Sequence, residues 1–317
     1  MLKAFIFDMG GTLEDVVHRP EFNLPCGKLL LEYLERHGIR FDSSPGDFMN
    51  RLEKQHKAYR IWAVEQNREL SPFDLWSQWF LKGMKYNQDR LQVIADNLAG
   101  LWELNYYRRS LRPEAPAMLR ELEDMGFSLG IISNTSSHTQ VIGSLHQYGI
   151  DHYFSSVYIS VTSGFRKPHP ELFLAAARDL GALPEECVYV GDTISRDVRG
   201  ARLAGYAATL RIESLLSAGS DAGINNPGTR FPGNVSGRGR LFLKGGGGLM
   251  PFFTALRFPR RRTGSWALNP LARIKQEGEE ADYLITGLNE IPGIAGKLRE
   301  KYNRPSRPEG RKRSHRK

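Results

Sequence analysis

Acidic, basic, hydroxyl and amide side chains lie beside short apolar or proline-rich runs in distant segments of this chain. In chain order, they are Asp8, Ser133, Asn134, Lys167, Asp192 and Asp197. A carboxylate with an ordinary pKa near 3.9 is ionised at neutral pH and can act as a nucleophile. Carboxylate oxygens that converge bind a hard divalent cation, and a lysine adds a fixed positive charge. This set suits displacement at the phosphorus of a dianionic substrate, where preorganised charge is the main source of catalysis.

The elements that must position these side chains follow from hydrophobic periodicity. Apolar runs predict strands, and amphipathic stretches between them, at 116–126, 170–181 and 197–205, predict helices. The predicted strands cover 2–7, 128–132, 155–159, 187–190, 207–210 and 282–285. Strands that alternate with helices predict an α/β fold with a doubly wound parallel sheet, which binds ligands at the carboxyl ends of its strands. Asp8, Ser133 and Asp192 each follow a predicted strand directly.

A long segment after the first strand has a different pattern. Helices are predicted at 29–35, 48–64, 73–84 and 91–107, with Ser71-Pro72 and Asn87 as helix starts. No strand pattern interrupts them. Residues 14–110 are therefore predicted to form a second, smaller, all-helical domain.

The motifs around the polar residues resemble those of the haloacid dehalogenase (HAD) superfamily. They are Asp8-Met9-Gly10-Gly11-Thr12-Leu13, Ile131-Ile132-Ser133-Asn134, Lys167-Pro168-His169-Pro170 and Gly191-Asp192 with Asp197. The resemblance implies a Rossmann-like catalytic core at 1–13, 111–218 and 277–300, covered by a helical cap at 14–110. It covers about 1–215 and 281–300.

The resemblance also implies roles for individual residues. Asp8 is expected to be the nucleophile of a phosphatase that forms an aspartyl-phosphate, with Lys167 beside it. Ser133, Asn134 and the backbone of Met9 are expected to hold the substrate. Magnesium is expected as the cofactor, with four ligand positions: Asp8, the carbonyl of Gly10, Asp192 and Asp197.

Gly10 departs from the family pattern. Phosphatases of the family carry an aspartate two residues after the nucleophile, which protonates the leaving oxygen, whereas its backbone carbonyl binds the metal. General acid–base assistance contributes about 10²–10⁴-fold, so a simple alkyl phosphate should suffer most from the loss. Glu14, Asp15 and His18 are near enough in sequence to be considered as substitute acids.

Three alternatives to an ordinary phosphatase stay open. A HAD-like module without turnover could bind phosphate only. A dehalogenase needs no leaving-group proton, but the acidic pair at 192 and 197 indicates a metal site, which dehalogenases do not use. A hydrolase of a carbon–phosphorus bond would need a cap lysine, for which Lys28, Lys54 and Lys57 are available.

The net charge of +9 is unevenly distributed. Residues 219–276 carry ten Lys or Arg against one acid, and 301–317 carry eight against one, so the rest of the chain is net acidic. We predict a disordered Gly/Arg-rich insertion at 219–276 and a disordered basic tail at 301–317. The expected partner is a small phosphorylated metabolite, with nucleic acid bound at most weakly through these two segments.

Cysteine usage and hydropathy indicate the compartment. The two cysteines, Cys26 and Cys187, are far apart, and Cys187 lies in an apolar run, which favours a buried thiol over a disulfide. No apolar run reaches the roughly 18 residues of a membrane span, and the first residues lack the pattern of a secretion signal. A cytoplasmic protein is expected. The sequence does not indicate an oligomeric state.

Overall fold

The computed structural model describes residues 1–214 and 280–303. The predicted insertion at 219–276 lies outside the described residues, as does most of the predicted basic tail. Among the described residues, no helix is both long enough and apolar enough to cross a bilayer.

Six parallel strands form the central sheet. Its strands, in chain order, are β1 (Ala4–Phe7), β4 (Ser128–Ser133), β5 (Phe154–Ile159), β6 (Cys187–Gly191), β7 (Ala208–Ile212) and β8 (Tyr283–Ile285). Their order across the sheet is β5-β4-β1-β6-β7-β8, so β1 lies between β4 and β6. The predicted doubly wound parallel sheet is confirmed, and each predicted strand lies within one or two residues of its observed position.

Helices cover both faces of this sheet. The core helices are α5 (Ala115–Asp124), α6 (Gln140–Tyr148), α7 (Ser160–Ser163), α8 (Pro170–Asp179), α9 (Arg199–Ala204) and α10 (Ile291–Asn303). Alternation along β1 divides its side chains: Phe5 and Phe7 pack with α5, α6 and α10, whereas Ala4 and Ile6 pack with α8 and α9. The sheet is therefore buried on both faces, as expected for a parallel sheet.

A short antiparallel ribbon separates the sheet from the helical segment. Strand β2 (Glu14–Val17) pairs with β3 (Arg108–Leu111), with Glu14 opposite Leu111 and Val17 opposite Arg108. The sequence analysis placed 14–110 entirely in a helical domain and did not predict this ribbon. Both connections between the sheet and the helical segment pass through it.

Between the two ribbon strands the chain forms a helical unit with its own hydrophobic core. Its helices are α1 (Asn23–Arg36), α2 (Pro45–Gln66), α3 (Pro72–Leu75) and α4 (Gln88–Asn105), and a π-helical turn, Trp76–Phe80, follows α3. The buried Trp76 and Trp102 are the largest side chains of this core. The predicted single helix at 73–84 is wrong in form, because it is a short α-helix followed by the π-helical turn.

Side-chain caps explain where these helices begin. The Ser71 hydroxyl accepts a hydrogen bond from the Asp74 N–H at 3.1 Å, and the Asn87 side chain accepts one from the Arg90 N–H at 3.0 Å. Both starts agree with the sequence prediction. A glycine marks the end of a helix as well. Gly126, just after α5, adopts a positive φ of 80°, and the helix ends there as predicted.

The chain returns to the sheet at β8 and continues into α10. This helix runs to Asn303, so the predicted boundary between core and tail at residue 300 is three residues early. The reason is packing against the core: the Tyr302 hydroxyl donates a hydrogen bond to the Ala207 carbonyl at 2.6 Å. Arg299 likewise donates to the Met125 carbonyl at 2.5 Å.

Candidate active site

The ends of three adjacent strands bring together side chains that are far apart in sequence. Asp8 follows β1, Ser133 is the last residue of β4, and Asp192 follows β6. The register pairs Phe7 with Ile131 and with Val190, so the three polar residues are at nearly the same height in the sheet. All three are buried, and Asp192 is fully so. The predicted convergence at the carboxyl edge is what the structure shows.

Lys167 connects two of the acidic residues. Its Nζ lies 2.8 Å from Asp8 Oδ1 and 2.6 Å from Asp197 Oδ1. It also donates to the Ile132 carbonyl and to the Tyr189 hydroxyl, each at 3.1 Å. With 1% of its side chain exposed, the ammonium is held by protein atoms rather than by water.

Asn134 positions the backbone from which Lys167 projects. Its Oδ1 accepts a hydrogen bond from the Lys167 N–H at 2.8 Å, and its Nδ2 donates to the Lys167 carbonyl at 3.2 Å. Both polar atoms of the Asn134 side chain are therefore engaged within the protein. The side chain orients the lysine segment, and the predicted contact of Asn134 with substrate stays a prediction.

Asp8, Asp192 and Asp197 form a compact acidic cluster. One ligand oxygen from each lies within 4.8 Å of the others, and all three residues are buried. Asp197 belongs to a π-helical turn, Ile194–Val198, a feature that often occurs at functional sites. The Thr193 N–H binds Asp197 Oδ2 at 3.0 Å, which fixes this carboxylate towards the cluster.

Two glycines permit the close packing of this cluster. A Cβ at Gly11, whose φ is +89°, would lie 2.3 Å from Asp192 Oδ2. A Cβ at Gly191 would lie 2.4 Å from the Cβ of Asp197. Neither contact is sterically allowed, so the absence of a side chain at both positions lets two carboxylates approach the backbone.

The electrostatics of the cluster show an excess of negative charge. Burial raises the pKa of Asp8 to about 7, and Asp197 and Asp192 add to this rise while Lys167 opposes it. Burial and the neighbouring Asp197 also raise the pKa of Asp192. Burial opposes ionisation of Asp197 as well, but Lys167 and Arg196 outweigh it and hold its pKa below the usual value. One ammonium does not balance three carboxylates.

The residues present fit a hard divalent cation. They offer three carboxylates, which such a cation prefers as ligands, and a bound cation would favour the ionised forms of Asp8 and Asp192, whose pKa values burial and the neighbouring carboxylates raise. The Gly10 carbonyl accepts no hydrogen bond from the described residues, so it is a further free oxygen next to Asp8. The three predicted acidic ligands are thus brought together, and their binding of a metal, with the Gly10 carbonyl, stays a prediction.

The other two residues predicted to contact the substrate, Ser133 and Met9, differ in which of their groups are free to bind it. The Ser133 hydroxyl has no hydrogen-bond partner within 1–214 and 280–303, and the residue is 6% exposed at the strand end. Met9 packs its side chain into the core, and its N–H donates to Asp8 Oδ1 at 2.7 Å. Their contacts with a substrate stay predictions.

The sequence analysis missed several residues that hold the acids. The Tyr189 hydroxyl donates to Asp197 Oδ1 at 3.2 Å, and the hydroxyls of Thr193 and Ser214 donate to Asp192 at 2.7 and 2.6 Å. One signal was available for Tyr189. It lies inside the apolar strand β6, where a buried phenol needs a hydrogen-bond partner.

The substitute residues considered in the sequence analysis are occupied or exposed. Glu14 is fully buried and ion-paired with Arg109 at 2.6 Å, and Asp15 pairs with Arg112 at 3.2 Å. His18 is hydrogen-bonded to Asn23 at 2.9 Å. The three lysines considered for carbon–phosphorus cleavage, Lys28, Lys54 and Lys57, are exposed, unlike the buried Lys167.

The chain is similar to known hydrolases and phosphatases. A family model for haloacid dehalogenase-like hydrolases matches residues 2–205. A glyceraldehyde 3-phosphate phosphatase of Methanopyrus kandleri is 44% identical over 67% of this chain and 84% of its own length. A phosphoserine phosphatase of Thermus thermophilus is 42% identical over 32% of this chain and 40% of its own.

A solved structure shares the fold. The 2-haloacid dehalogenase from Pseudomonas syringae aligns with 94% of this chain and 99% of its own, at a TM-score of 0.52 and 18% identity.

Proposed function

We propose that this chain, which belongs to the haloacid dehalogenase-like hydrolase family, is a magnesium-dependent phosphatase of a small phosphorylated metabolite. The chain is a hydrolase by its family. The observation that carries the proposal is the buried cluster of Asp8, Asp192 and Asp197 beside Lys167. The two phosphatases reported above act on small phosphorylated compounds by their names, which supports a substrate of that size.

Asp8 is the proposed nucleophile. Its Oδ1 is bound by Lys167 and by the Met9 N–H, which leaves Oδ2 as the oxygen without a bond inside the described part of the chain. Attack of this oxygen on phosphorus would give an aspartyl-phosphate, which water then hydrolyses. The Lys167 ammonium holds Asp8 in orientation and offsets the charge that accumulates as the dianionic substrate approaches.

Magnesium is the proposed cofactor. Asp8, the Gly10 carbonyl, Asp192 and Asp197 would hold it, and when bound it supplies positive charge that reduces repulsion between substrate and carboxylates. Ser133, at the end of β4, would donate a hydrogen bond to a phosphoryl oxygen. The backbone N–H groups near Met9 and Asn134 would add further donors.

The helical unit is proposed to be a cap over this site. The chain enters and leaves this unit through the β2–β3 ribbon. The loop of the unit at 67–70 also contacts the core segment that leads to Lys167. The Arg166 N–H donates to the Asn67 carbonyl at 3.1 Å, next to the catalytic lysine. This placement would let the unit exclude water and select substrates.

The first prediction tests the nucleophile. We expect Asp8→Asn to lower kcat/KM for an active phosphorylated substrate by about 10⁴-fold or more, because an amide cannot form the covalent intermediate. The screen would contain D-glyceraldehyde 3-phosphate, phosphoserine, acetyl phosphate and p-nitrophenyl phosphate, each with Mg²⁺ and with EDTA. Asp96→Asn, at an exposed aspartate paired with His138, is the matched control and should retain activity.

The intermediate is tested directly by labelling. With a ³²P-labelled substrate and acid quenching, wild-type protein should carry label that hydroxylamine releases, whereas Asp8→Asn should carry none. Saturable phosphate binding without turnover in wild-type protein would instead identify a phosphate-binding module. Turnover that survives Asp8→Asn would refute the assignment of the nucleophile.

A further inference from the structure

The space beside Gly10 is occupied by a buried ionic network. A Cβ placed on Gly10 would lie 3.3 Å from Val16 Cγ2, and its nearest polar neighbours would be Arg109 Nη1 at 3.6 Å and Glu14 Oε1 at 3.9 Å. Gly10 is the position from which a family phosphatase projects its acid towards the leaving oxygen. The direction that would hold a carboxyl group therefore faces a guanidinium in this chain.

The guanidinium of Arg109 is held on two sides. Nη1 donates to Glu14 Oε1 at 2.6 Å, and Nη2 donates to Glu103 Oε2 at 2.8 Å. The other oxygens of these carboxylates accept from Tyr148, at 3.0 Å, and from Ser136, at 2.9 Å. The network links the ribbon, helix α4 and the core, so the position of Arg109 is fixed from several elements.

Arg109 retains donors that these partners do not use. A guanidinium has five N–H groups. In Arg109, one N–H of each Nη donates to a carboxylate, and the Nε–H donates to the Glu103 carbonyl at 3.4 Å. One N–H on each Nη has no partner within the described ranges. The side chain is 12% exposed, so Arg109 is not completely enclosed by protein atoms.

Glu14 is not a replacement for the missing acid. Both of its carboxylate oxygens accept hydrogen bonds, one from Arg109 and one from Tyr148. A carboxyl group that only accepts has no proton to give. The Arg109 guanidinium beside Gly10 is thus a donor that stabilises negative charge without transferring a proton.

We propose that Arg109 faces the leaving-group oxygen in place of the family's acid, and that this chain prefers phosphates whose leaving group departs as a stable anion, such as acyl or aryl phosphates. This inference rests on the proposed phosphatase function. In the first step a bond forms between Asp8 and phosphorus, the phosphorus–oxygen bond to the leaving group breaks, and the leaving group departs with the electron pair. Water then hydrolyses the aspartyl-phosphate, and both of its protons leave with inorganic phosphate as H₂PO₄⁻.

The test compares two substrates that differ in leaving group alone, p-nitrophenyl phosphate and phenyl phosphate. We expect Arg109→Gln to lower kcat/KM for phenyl phosphate at least about tenfold more than for p-nitrophenyl phosphate, because unsubstituted phenoxide concentrates more charge on its oxygen. Arg109→Lys, which keeps the charge, should recover most of that difference. Arg108→Gln is the matched control. Arg108 precedes Arg109 on strand β3, but its side chain is exposed and lies over the ring of Phe22. This variant should leave the ratio of the two kcat/KM values unchanged.

An equal fall for both substrates in Arg109→Gln would overturn the inference and leave Arg109 a structural residue. If Arg109 variants do not fold, Gly10→Asp decides the matter without removing a member of the network. We expect it to raise phenyl phosphate hydrolysis by about tenfold or more relative to p-nitrophenyl phosphate, and an unchanged ratio would show that this position does not face the leaving group. Absence of turnover by wild-type protein on every phosphate would instead refute the phosphatase function itself.

Discussion

Lys167 determines which carboxylate oxygens of the acidic cluster remain open. Its ammonium binds Oδ1 of Asp8 and Oδ1 of Asp197, and the Thr193 N–H binds the second oxygen of Asp197. Asp8 Oδ2 is left without a bond among the described residues. A single buried cation therefore both neutralises part of the cluster and leaves free the oxygen that we propose as the nucleophile.

Gly11 offers a sharp test of how tightly the cluster is built. We expect Gly11→Ala to destabilise the fold by about 1–2 kcal/mol through its positive φ and by about 1–3 kcal/mol more through the clash with Asp192. Activity should fall as well, because the Asp192 carboxylate must move. Urea unfolding and phosphatase assays of the same preparation measure both effects.

Gly126→Ala is the matched control for backbone strain. Gly126 has a similar φ of +80°, but a Cβ there would meet nothing within 4 Å. This variant should lose only the backbone contribution and keep wild-type activity. Equal stability and equal activity of the two variants would contradict the close approach of Gly11 to Asp192.

At the scale of elements, Glu69 joins the helical unit to the core. Its carboxylate is fully buried and accepts hydrogen bonds from Tyr59, from Arg166 and, at 2.8 Å, from Ser160. The Glu69 N–H also donates to the Gly164 carbonyl at 3.1 Å. This buried contact holds the loop after α2 against the segment before Lys167.

We expect Glu69→Ala to cost about 3–5 kcal/mol of unfolding free energy, because Arg166 is left as a buried charge without its partner. Glu35→Ala, which removes an exposed pair with Arg40, should cost about 0–1 kcal/mol. Chemical denaturation monitored by circular dichroism gives both values. A similar small loss for the two variants would show that the Glu69 contact does not hold the units together.

Short-range pattern explains which elements the sequence predicts. The strands of the sheet are apolar runs bounded by turn residues, and the capped helices carry their own start signals at Ser71 and Asn87. The β2–β3 ribbon has no such signal, because Glu14–Val17 is short and its partner Arg108–Leu111 is remote in the chain. Pairing between distant strands is a tertiary property that a local pattern does not contain.

The residues of the candidate site also fall into a predictable group and an unpredictable group. Asp8, Ser133 and Asp192 were predictable because a parallel sheet gathers the ends of its strands at one edge. The partners that orient them, such as Tyr189, Asn134 and Ser214, depend on side-chain directions that a sequence does not fix. The position of Arg109 beside Gly10 follows from the β2–β3 ribbon. Because the sequence did not predict this ribbon, it could not predict that position either.

At the scale of the whole molecule, metal binding should be linked to stability. A ligand that binds only the folded state at 100 times its Kd adds about 2.7 kcal/mol to the unfolding free energy. We therefore expect Mg²⁺ to raise the thermal midpoint and EDTA to lower it. Asp192→Asn should abolish the shift, and a shift of equal size in that variant would exclude the acidic cluster as the binding site.

The same linkage has a pH dependence with a defined sign. Burial raises the pKa of Asp8 to about 7 before a metal binds, so Asp8 must lose a proton when the metal enters. Apparent Mg²⁺ affinity should fall as pH decreases below 7, by at most about tenfold per pH unit for one proton. Calorimetric titrations at several pH values measure this slope, and a flat profile from pH 5 to 8 would contradict the raised pKa of Asp8.

The β2–β3 ribbon also has an evolutionary consequence. Because the chain leaves and re-enters the core on paired neighbouring strands, we expect that the helices between Val17 and Arg108 can be exchanged between relatives without rearranging the sheet, provided that the contact of Glu69 with Arg166 is kept. A chimera joined at these residues would carry the helical unit of a relative. It would keep Glu14 and Arg109 of this chain but lose Glu103, which lies on α4. Under the proposed function, substrate choice and leaving-group chemistry would diverge separately during descent, and Glu103 is the one described residue of the network that a graft must restore.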